Sequence, residues 1–261
     1  MNFYKKSLGQ NFLIDKNIIK KIINIVNIKN KNIIEIGPGK GALTEEIIKK
    51  KPKSLVLLEK DYNLSKELKL KYSKKKIIYI LNKDVLKFDF KEISKKKHII
   101  LGNLPYNISS QILVKILKNT KWPSGLTDLI FMFQKELGEK IVAKYPSKDY
   151  GRLSIISNYR FNIFKKFLVS PNCFIPRPKV TSMVIHFKPK ERKEFNIKKI
   201  ANLEKITNTL FSNRRKMINK NLKKILNKKL INKITNLNIN LRPENIKPEI
   251  YYKITELYEA K

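Results

Sequence analysis

The chain has 261 residues and a formal net charge of +37, from 58 Lys and Arg against 21 Asp and Glu. It contains a single cysteine, which excludes an intrachain disulfide, and no apolar run approaches the roughly 20 residues of a membrane span. Residues 1–6 lack the apolar segment of a signal peptide, so we expect a soluble, cytoplasmic protein. The 42% hydrophobic content supports one large domain or two unequal ones, and the positive charge indicates a polyanionic partner.

Strands and helices are predicted to alternate along most of the chain. An ordered arm at residues 5–13 leads into a helix that begins after Asp15, a typical N-cap residue. Apolar residues at helical spacing also follow the first, second and fourth predicted strands. The predicted strands are residues 33–36, 54–59, 77–81, 98–101 and 128–133, with later ones at 161–169 and 180–187. This alternation predicts an α/β fold with a parallel sheet.

A second, smaller domain is predicted at the C-terminal end. After Lys190 the apolar spacing is helical only, and residues 205–233 contain many basic residues and no acid. We therefore place a boundary near Glu191, which gives an α/β domain at 1–190 and a basic all-helical domain at 191–261.

The first predicted strand runs into a glycine turn in which Gly37, Gly39 and Gly41 fall within five positions. Glycine has no Cβ, so the backbone can take φ > 0 and approach a ligand closely. The pattern differs from the dinucleotide fingerprint Gly-x-Gly-x-x-Gly, and there is no phosphate loop with Gly-Lys-Ser/Thr. The turn is compatible with a nucleoside-type ligand that lacks a pyrophosphate. It is equally compatible with a purely structural turn between a strand and a helix.

Acidic residues follow the same strand ends. Ligands of open parallel sheets bind beyond the carboxyl ends of the strands, and Glu35, Glu59 and Asp84 lie at or just after three such ends. The separation of Glu59 from Gly37 is about the 20 residues expected for a carboxylate that holds ribose hydroxyls. Asp84 is placed to accept a hydrogen bond from an adenine amine.

The fourth predicted strand ends in Asn103-Leu104-Pro105-Tyr106. The exocyclic nitrogen of adenine is a poor nucleophile, because its lone pair is delocalised into the ring. Acceptors for its N–H groups would turn that lone pair outward, and the Asn103 side chain and the Leu104 carbonyl could supply them. Pro105 would fix the turn, and Tyr106 could stack on the base. The alternative is a turn that only initiates a helix.

Motifs that occur together in one enzyme family are found in order along nearly the whole chain. They are GQNFL at 9–13, EIGPG at 35–39, Glu59, Asp84, NLPY at 103–106, YGRLS at 150–154, FIPRPKVTS at 174–182 and NRRK at 213–216. In these motifs the chain resembles the ribosomal small-subunit RNA adenine dimethyltransferase family, the KsgA type. The resemblance implies a Rossmann-like, S-adenosylmethionine-dependent methyltransferase with a smaller C-terminal helical domain. It implies N6,N6-dimethylation of two adjacent adenosines in the loop of the 3′-terminal hairpin of 16S rRNA, during 30S subunit biogenesis.

The resemblance also implies roles for individual residues. Asn103, Leu104, Pro105 and Tyr106 would be catalytic, with Phe174 and Tyr106 as walls around the target adenine. The cofactor would be contacted by Asn11, Leu13, Gly37, Glu59, Asp84 and Asn103.

Basic residues in two acid-free stretches, 150–190 and 205–233, are the candidates for RNA contact. Solvated helix faces and an A+T-rich codon bias towards lysine are alternative explanations for part of this charge. The residues we expect to bind RNA are Arg152, Arg177, Arg214, Arg215, Lys216, Lys220 and Lys223.

The sequence also bears on metal binding, on oligomeric state and on two alternative functions. Two histidines and Cys173 cannot assemble a Cys/His zinc site, so we expect no metal, and we expect a monomer. One rival function is that of the related enzymes that dimethylate a 23S rRNA adenine, against which the motifs at 174–178 and 214–216 argue. The other rival is a non-catalytic RNA-binding assembly factor on the same fold, which the intact NLPY motif disfavours.

Overall fold

A computed structural model describes residues 9–90, 96–119, 125–191 and 194–261 of the chain. Residues 5–8 of the predicted arm lie outside these described residues. Strands are β1 (Phe12–Leu13), β2 (Asn32–Ile36), β3 (Ser54–Glu59), β4 (Ile78–Asn82), β5 (His98–Asn103), β6 (Leu126–Gln134), β7 (Phe161–Val169), β8 (Phe174–Ile175) and β9 (Ser182–Pro189). Helices are α1 (Lys16–Ile23), α2 (Ala42–Lys49), α3 (Tyr62–Lys71), α4 (Ser109–Asn119), α5 (Lys135–Val142), α6 (Arg152–Arg160), α7 (Ile200–Phe211), α8 (Asn219–Lys223), α9 (Lys228–Ile231) and α10 (Pro248–Glu259).

The main sheet has seven strands in the order β4-β3-β2-β5-β6-β9-β7. Strands β4, β3, β2, β5 and β6 are parallel, as predicted from the alternation of strands and helices. Strand β9 runs antiparallel to β6, with Ser182 opposite Gln134. The register places Ile36 beside Leu58 and Gly102, so β2, β3 and β5 end at the same edge of the sheet.

The core of the sheet forms because its central strands carry apolar residues on both faces. Ile33 and Ile34 of β2 are both fully buried, as expected for a parallel strand covered on each side by helices. Helix α1 begins where the sequence predicts it, because the Asp15 carboxylate accepts the N–H groups of Asn17 and Ile18 at 2.8 and 3.0 Å.

The chain packs as two compact units. The first contains residues 1–138 and 163–189, and the second contains residues 139–162 and 190–261. Within the second unit, the Tyr252 hydroxyl donates to the Ile155 carbonyl at 2.9 Å, and the Tyr150 hydroxyl donates to the Ile246 carbonyl at 3.0 Å. These buried contacts join α6 and the residue Tyr150 before it to the C-terminal residues 246–252. The two units therefore differ from a single division at residue 190.

Within the described ranges, no helix combines the length and the apolar character that crossing a bilayer would require.

Candidate active site

A cavity of about 660 Å³ opens at the carboxyl ends of β2, β3 and β5 in the first unit. This volume lies within the range of small-molecule and cofactor sites. Its lining includes an N-terminal arm (residues 9–13), the glycine turn (37–40), Glu59, Asp84 and residues 103–108. The cavity therefore lies where the sequence predicts a ligand site, and it gathers the acids and the NLPY motif.

Two glycines of the turn have different reasons to lack a side chain. Both Gly37 and Gly39 have positive φ, of 65° and 57°. A Cβ on Gly39 would lie 2.7 Å from the Phe12 ring, so the arm closes over this residue. A Cβ on Gly37 would have the Asn103 carbonyl oxygen as its nearest neighbour at 3.8 Å. The space beside Gly37 is therefore left open to the cavity.

The Glu59 carboxylate is fixed by backbone donors on both oxygens. Its Oε2 accepts the Gly39 N–H at 3.1 Å, and its Oε1 accepts the Asp61 N–H at 2.8 Å. Burial raises the pKa of Glu59, and these N–H groups partly offset that effect. The residue Glu59 is 6% exposed, and its carboxylate is held between the glycine turn and the start of α3.

Glu35 also lines the cavity, although the sequence reasoning gave it no specific role. It is 1% exposed, and its Oε2 accepts the Thr44 hydroxyl at 2.7 Å. Burial raises the pKa of Glu35 to about 8, against the lowering effect of Thr44. Burial therefore favours the neutral form of Glu35, which limits the negative charge beside Glu59.

Asp84 is kept ionised by its surroundings. Burial acts to raise its pKa, but the Lys60 ammonium 2.9 Å from Oδ2 and the Leu86 N–H 2.9 Å from Oδ1 lower it overall. The neighbouring Val85 is 7% exposed and lines the cavity. The charged acceptor Asp84 therefore lies next to the apolar side chain of Val85, a combination that suits the amine and the ring of an aminopurine.

The side chain of Asn103 is oriented by the arm. Its Nδ2 donates to the Asn11 carbonyl at 2.8 Å, which leaves Oδ1 as an acceptor without a partner among the described residues. The Leu104 carbonyl likewise accepts no hydrogen bond within the described part of the chain. Asn103, Leu104, Pro105 and Tyr106 all line the cavity, so the structure brings the NLPY motif to the edge that the sequence predicts.

Tyr106 is held by a residue that the sequence reasoning missed. Its hydroxyl and the hydroxyl of Ser182, which is fully buried on β9, are 2.5 Å apart. Burial raises the pKa of Tyr106, so the ring stays neutral. Ser182 is the last residue of the FIPRPKVTS motif, which was the one available sign of a role.

Phe174 does not line the cavity in this structure. It lies opposite Leu13 in the two-stranded β1–β8 sheet and is 2% exposed, as part of the hydrophobic core. Leu13 does line the cavity and is 4% exposed. The position of Phe174 supports the arm, and its role as a wall around the base stays a prediction.

The predicted RNA-binding residues are exposed in both units. The first unit carries Arg177, and the second carries Arg152, Arg214, Arg215, Lys216, Lys220 and Lys223. Residues 214–216 lie in a turn between α7 and α8, and not on a helix as we expected. Arg214 donates from Nε to Glu244 and from Nη2 to the Lys148 carbonyl, each at 2.6 Å. Arg214 therefore also ties two turns of the second unit together.

Among the described residues, no three His, Cys, Asp or Glu side chains are placed together so that they could hold a metal ion. Cys173 lies 3.8 Å from the Asp15 carboxylate, and Nε2 of His186 lies 2.8 Å from Asp128. Neither residue lines the cavity.

A mostly parallel sheet with an antiparallel strand, and a cavity beyond the carboxyl ends of its strands, define a Rossmann-like α/β protein with a ligand site. The family model described as ribosomal RNA adenine dimethylase matches residues 1–260, and the chain belongs to this family. The family and the fold imply S-adenosylmethionine as the methyl donor and ribosomal RNA as the substrate.

Curated relatives match over nearly the full chain. The chain is 44% identical over 256 residues to ribosomal RNA small subunit methyltransferase A of Pelagibacter ubique, covering 98% of this chain and 97% of the relative. It is 42% identical over 257 residues to the protein of the same name from Malacoplasma penetrans, covering 97% and 91%.

Solved structures share the fold. A dimethyladenosine transferase from Plasmodium falciparum superposes with a TM-score of 0.75 at 24% identity, covering 93% of this chain and 95% of that one. The 23S rRNA methyltransferase ErmE superposes with a TM-score of 0.71 at 21% identity, covering 95% and 100%. At these identities the likeness shows the fold alone and does not separate the two kinds of substrate.

Proposed function

We propose that this chain dimethylates N6 of two adjacent adenosines in the loop of the 3′-terminal hairpin of 16S rRNA, in the small ribosomal subunit or its precursor. The small subunit is favoured because relatives at 44% and 42% identity carry the name ribosomal RNA small subunit methyltransferase A. The choice of the two adenosines rests on the motifs shared with the family. The observation that carries the chemistry is the acceptor left on Asn103, which lines the cavity.

The residues of the cavity fit S-adenosylmethionine. When bound, this cofactor would supply a methyl group bonded to a sulfonium sulfur, and the sulfur would leave as a neutral thioether, so that even a weak nitrogen nucleophile can react. Glu59 presents a fixed carboxylate for the ribose hydroxyls, and Asp84 presents an ionised acceptor for the adenine amine. The open space beside Gly37 allows close approach of the ligand. Asn11, Leu13 and Asn103 complete the set of proposed cofactor contacts.

Asn103 and Leu104 prepare the target nitrogen. Because the Asn103 amide nitrogen is engaged by the Asn11 carbonyl, its oxygen faces outward as an acceptor for one N–H of the adenine amine. The Leu104 carbonyl accepts the other N–H. Two acceptors in fixed positions turn the lone pair of the amine towards the methyl group, and holding the reacting atoms in line contributes up to about 7–11 kcal/mol.

Tyr106 holds the base, and Pro105 fixes the turn that carries Tyr106. The Tyr106 hydroxyl is anchored on Ser182, so the ring keeps one orientation and offers its face to the extruded adenine. Stacking of this kind contributes about 1–3 kcal/mol per base. An extruded or single-stranded base is the form in which RNA presents its Watson–Crick edge to a protein.

The exposed cations bind the phosphates of the RNA. In the second unit, Arg152, Arg215, Lys216, Lys220 and Lys223 are exposed, and in the first unit Arg177 is exposed. The Arg214 charge is partly offset by Glu244, so its contribution to RNA affinity is expected to be smaller than that of Arg215.

The decisive experiment is transfer of radiolabelled methyl groups to small subunits that lack the modification, followed by nucleoside analysis. We expect N6,N6-dimethyladenosine at two adjacent positions, located by primer extension. Large subunits that lack modification are offered in a parallel reaction. Label in their 23S rRNA, and none in the small subunits, would favour the large-subunit enzymes, and no transfer to either would favour a binding-only assembly factor. Asn103→Ala should lose methyl transfer and retain RNA binding, whereas Asn208→Ala, an exposed asparagine on α7, should change neither.

A further inference from the structure

The N-terminal arm lies directly over the cavity. At its start, a Cβ on Gly9 would lie 3.1 Å from Asn107 Oδ1, so the arm packs against the turn that follows the NLPY motif. Further along, the Phe12 ring covers Gly39 of the glycine turn. The arm therefore spans the space between the target side and the cofactor side of the cavity.

Side-chain hydrogen bonds attach the arm to both sides. On the target side, Asn103 Nδ2 donates to the Asn11 carbonyl at 2.8 Å. On the cofactor side, Gln10 Nε2 donates to Asp61 Oδ2 at 3.2 Å. Gln10 and Asn11 are adjacent in the arm, yet their partners come from the start of α3 and from β5, respectively.

Asp61 is a rigid attachment point that is already linked to the cofactor carboxylate. It is 5% exposed, and its Oδ1 accepts the N–H groups of Asn63 and Leu64, at 2.9 and 3.4 Å, as the N-cap of α3. Its own N–H donates to Glu59 at 2.8 Å. Gln10 uses the other oxygen, Oδ2, so the arm is bonded to the residue that orients Glu59.

We propose that Gln10 is a positioning residue that holds the N-terminal arm closed over the bound nucleoside cofactor through Asp61. This inference rests on the proposed function, in which Glu59 and Gly37 receive the cofactor. With the bond to Asp61 intact, the arm keeps Asn11, Leu13 and Phe12 in place and slows cofactor release. Gln10 does not touch the reacting atoms, and Asn103 keeps its own bond to the Asn11 carbonyl when Gln10 is replaced. Loss of Gln10 therefore lowers cofactor affinity, and the rate of methyl transfer once the cofactor is bound is unchanged.

The test reverses the direction of the hydrogen bond. Gln10→Glu places a carboxylate against the Asp61 carboxylate and breaks the bond. Adding Asp61→Asn restores it, because the new amide donates to the new carboxylate while its oxygen still caps α3. Gln10→Ala removes the bond without adding charge. Gln111→Glu, at an exposed position on α4, is the matched control for an added carboxylate.

Binding of S-adenosylhomocysteine by calorimetry and its dissociation rate by stopped flow are the readouts, with thermal melts to verify folding. Loss of one hydrogen bond should raise Kd and the dissociation rate about fivefold in Gln10→Glu and Gln10→Ala. The double variant should return to within about twofold of the unmutated protein, with kcat at saturating donor unchanged throughout.

Three results would overturn the role of Gln10: both single variants bind as tightly as the unmutated protein, the double variant is no better than Gln10→Glu, or kcat falls while Kd stays the same. If the unmutated protein itself does not bind S-adenosylhomocysteine, the proposed function fails, and the inference fails with it. If the unmutated protein binds S-adenosylhomocysteine and the Gln10 variants bind it equally well, only the role of Gln10 is overturned.

Discussion

Replacing Asn103 by alanine separates methyl transfer from binding, because the side chain makes two different interactions. Its Nδ2 holds the Asn11 carbonyl at 2.8 Å, and its Oδ1 is the proposed acceptor for the target amine. The first interaction concerns the arm, and the second concerns the reacting nitrogen. Asn103→Ala removes both.

The magnitudes follow from the two interactions. Loss of the bond to Asn11 removes about 1 kcal/mol, so the Kd of S-adenosylhomocysteine should rise about fivefold. Loss of a preorganised polar group at the reacting centre typically lowers kcat about 100- to 1,000-fold. The fall in kcat should therefore exceed the loss of cofactor affinity by more than tenfold.

Single-turnover transfer of radiolabelled methyl groups to unmethylated small subunits measures the rate, and calorimetry with S-adenosylhomocysteine measures the affinity. RNA binding, measured by filter retention, should stay within about twofold, because no phosphate contact is removed. A rate for Asn103→Ala within tenfold of the Asn208→Ala control would refute the role of Asn103 as acceptor.

Three further predictions concern charge. The pKa of Glu35 is raised from 4.5 to about 8 on folding, so the free energy of unfolding should fall as pH rises between these values. In thermal melts, Glu35→Gln should show a smaller fall over the same pH range. A pH profile of Glu35→Gln that matches the unmutated protein would contradict this assignment. Neutralising Arg215, Lys216 and Lys220 together should weaken RNA binding. The slope of log K against log salt concentration should become shallower by about 0.7–0.9 for each phosphate that is no longer neutralised. An unchanged slope in salt titrations would count against phosphate binding by these side chains. Arg214→Ala should lower the melting temperature more than Arg215→Ala, since Arg214 bonds both Glu244 and the Lys148 carbonyl; equal melting temperatures would show that these bonds add no stability.

The α/β fold and the location of the cavity could be predicted because both depend on local patterns. Apolar runs that end in polar residues mark the strands, and in a parallel sheet the carboxyl ends of neighbouring strands meet at one edge. Glu59, Asp84 and Asn103 are therefore found together, as expected, although they lie far apart in the sequence.

Long-range side-chain contacts could not be predicted in the same way. Tyr106 is anchored by Ser182, and Arg214 pairs with Glu244, but nothing in the local pattern of either residue specifies its partner. Phe174 lies opposite Leu13 in the short β1–β8 sheet and belongs to the core, a pairing that its local pattern does not specify, and its role beside the target base stays a prediction. Such pairings depend on how distant segments pack, which periodicity does not encode.

The central claim is that donor and target adenine meet at the end of β5. A crystal structure of the protein with S-adenosylhomocysteine tests it most directly. We predict the ribose at Glu59, the adenine at Asp84 and Val85, and the sulfur facing Asn103. A ligand bound away from Gly37, Glu59 and Asn103 would contradict the claim.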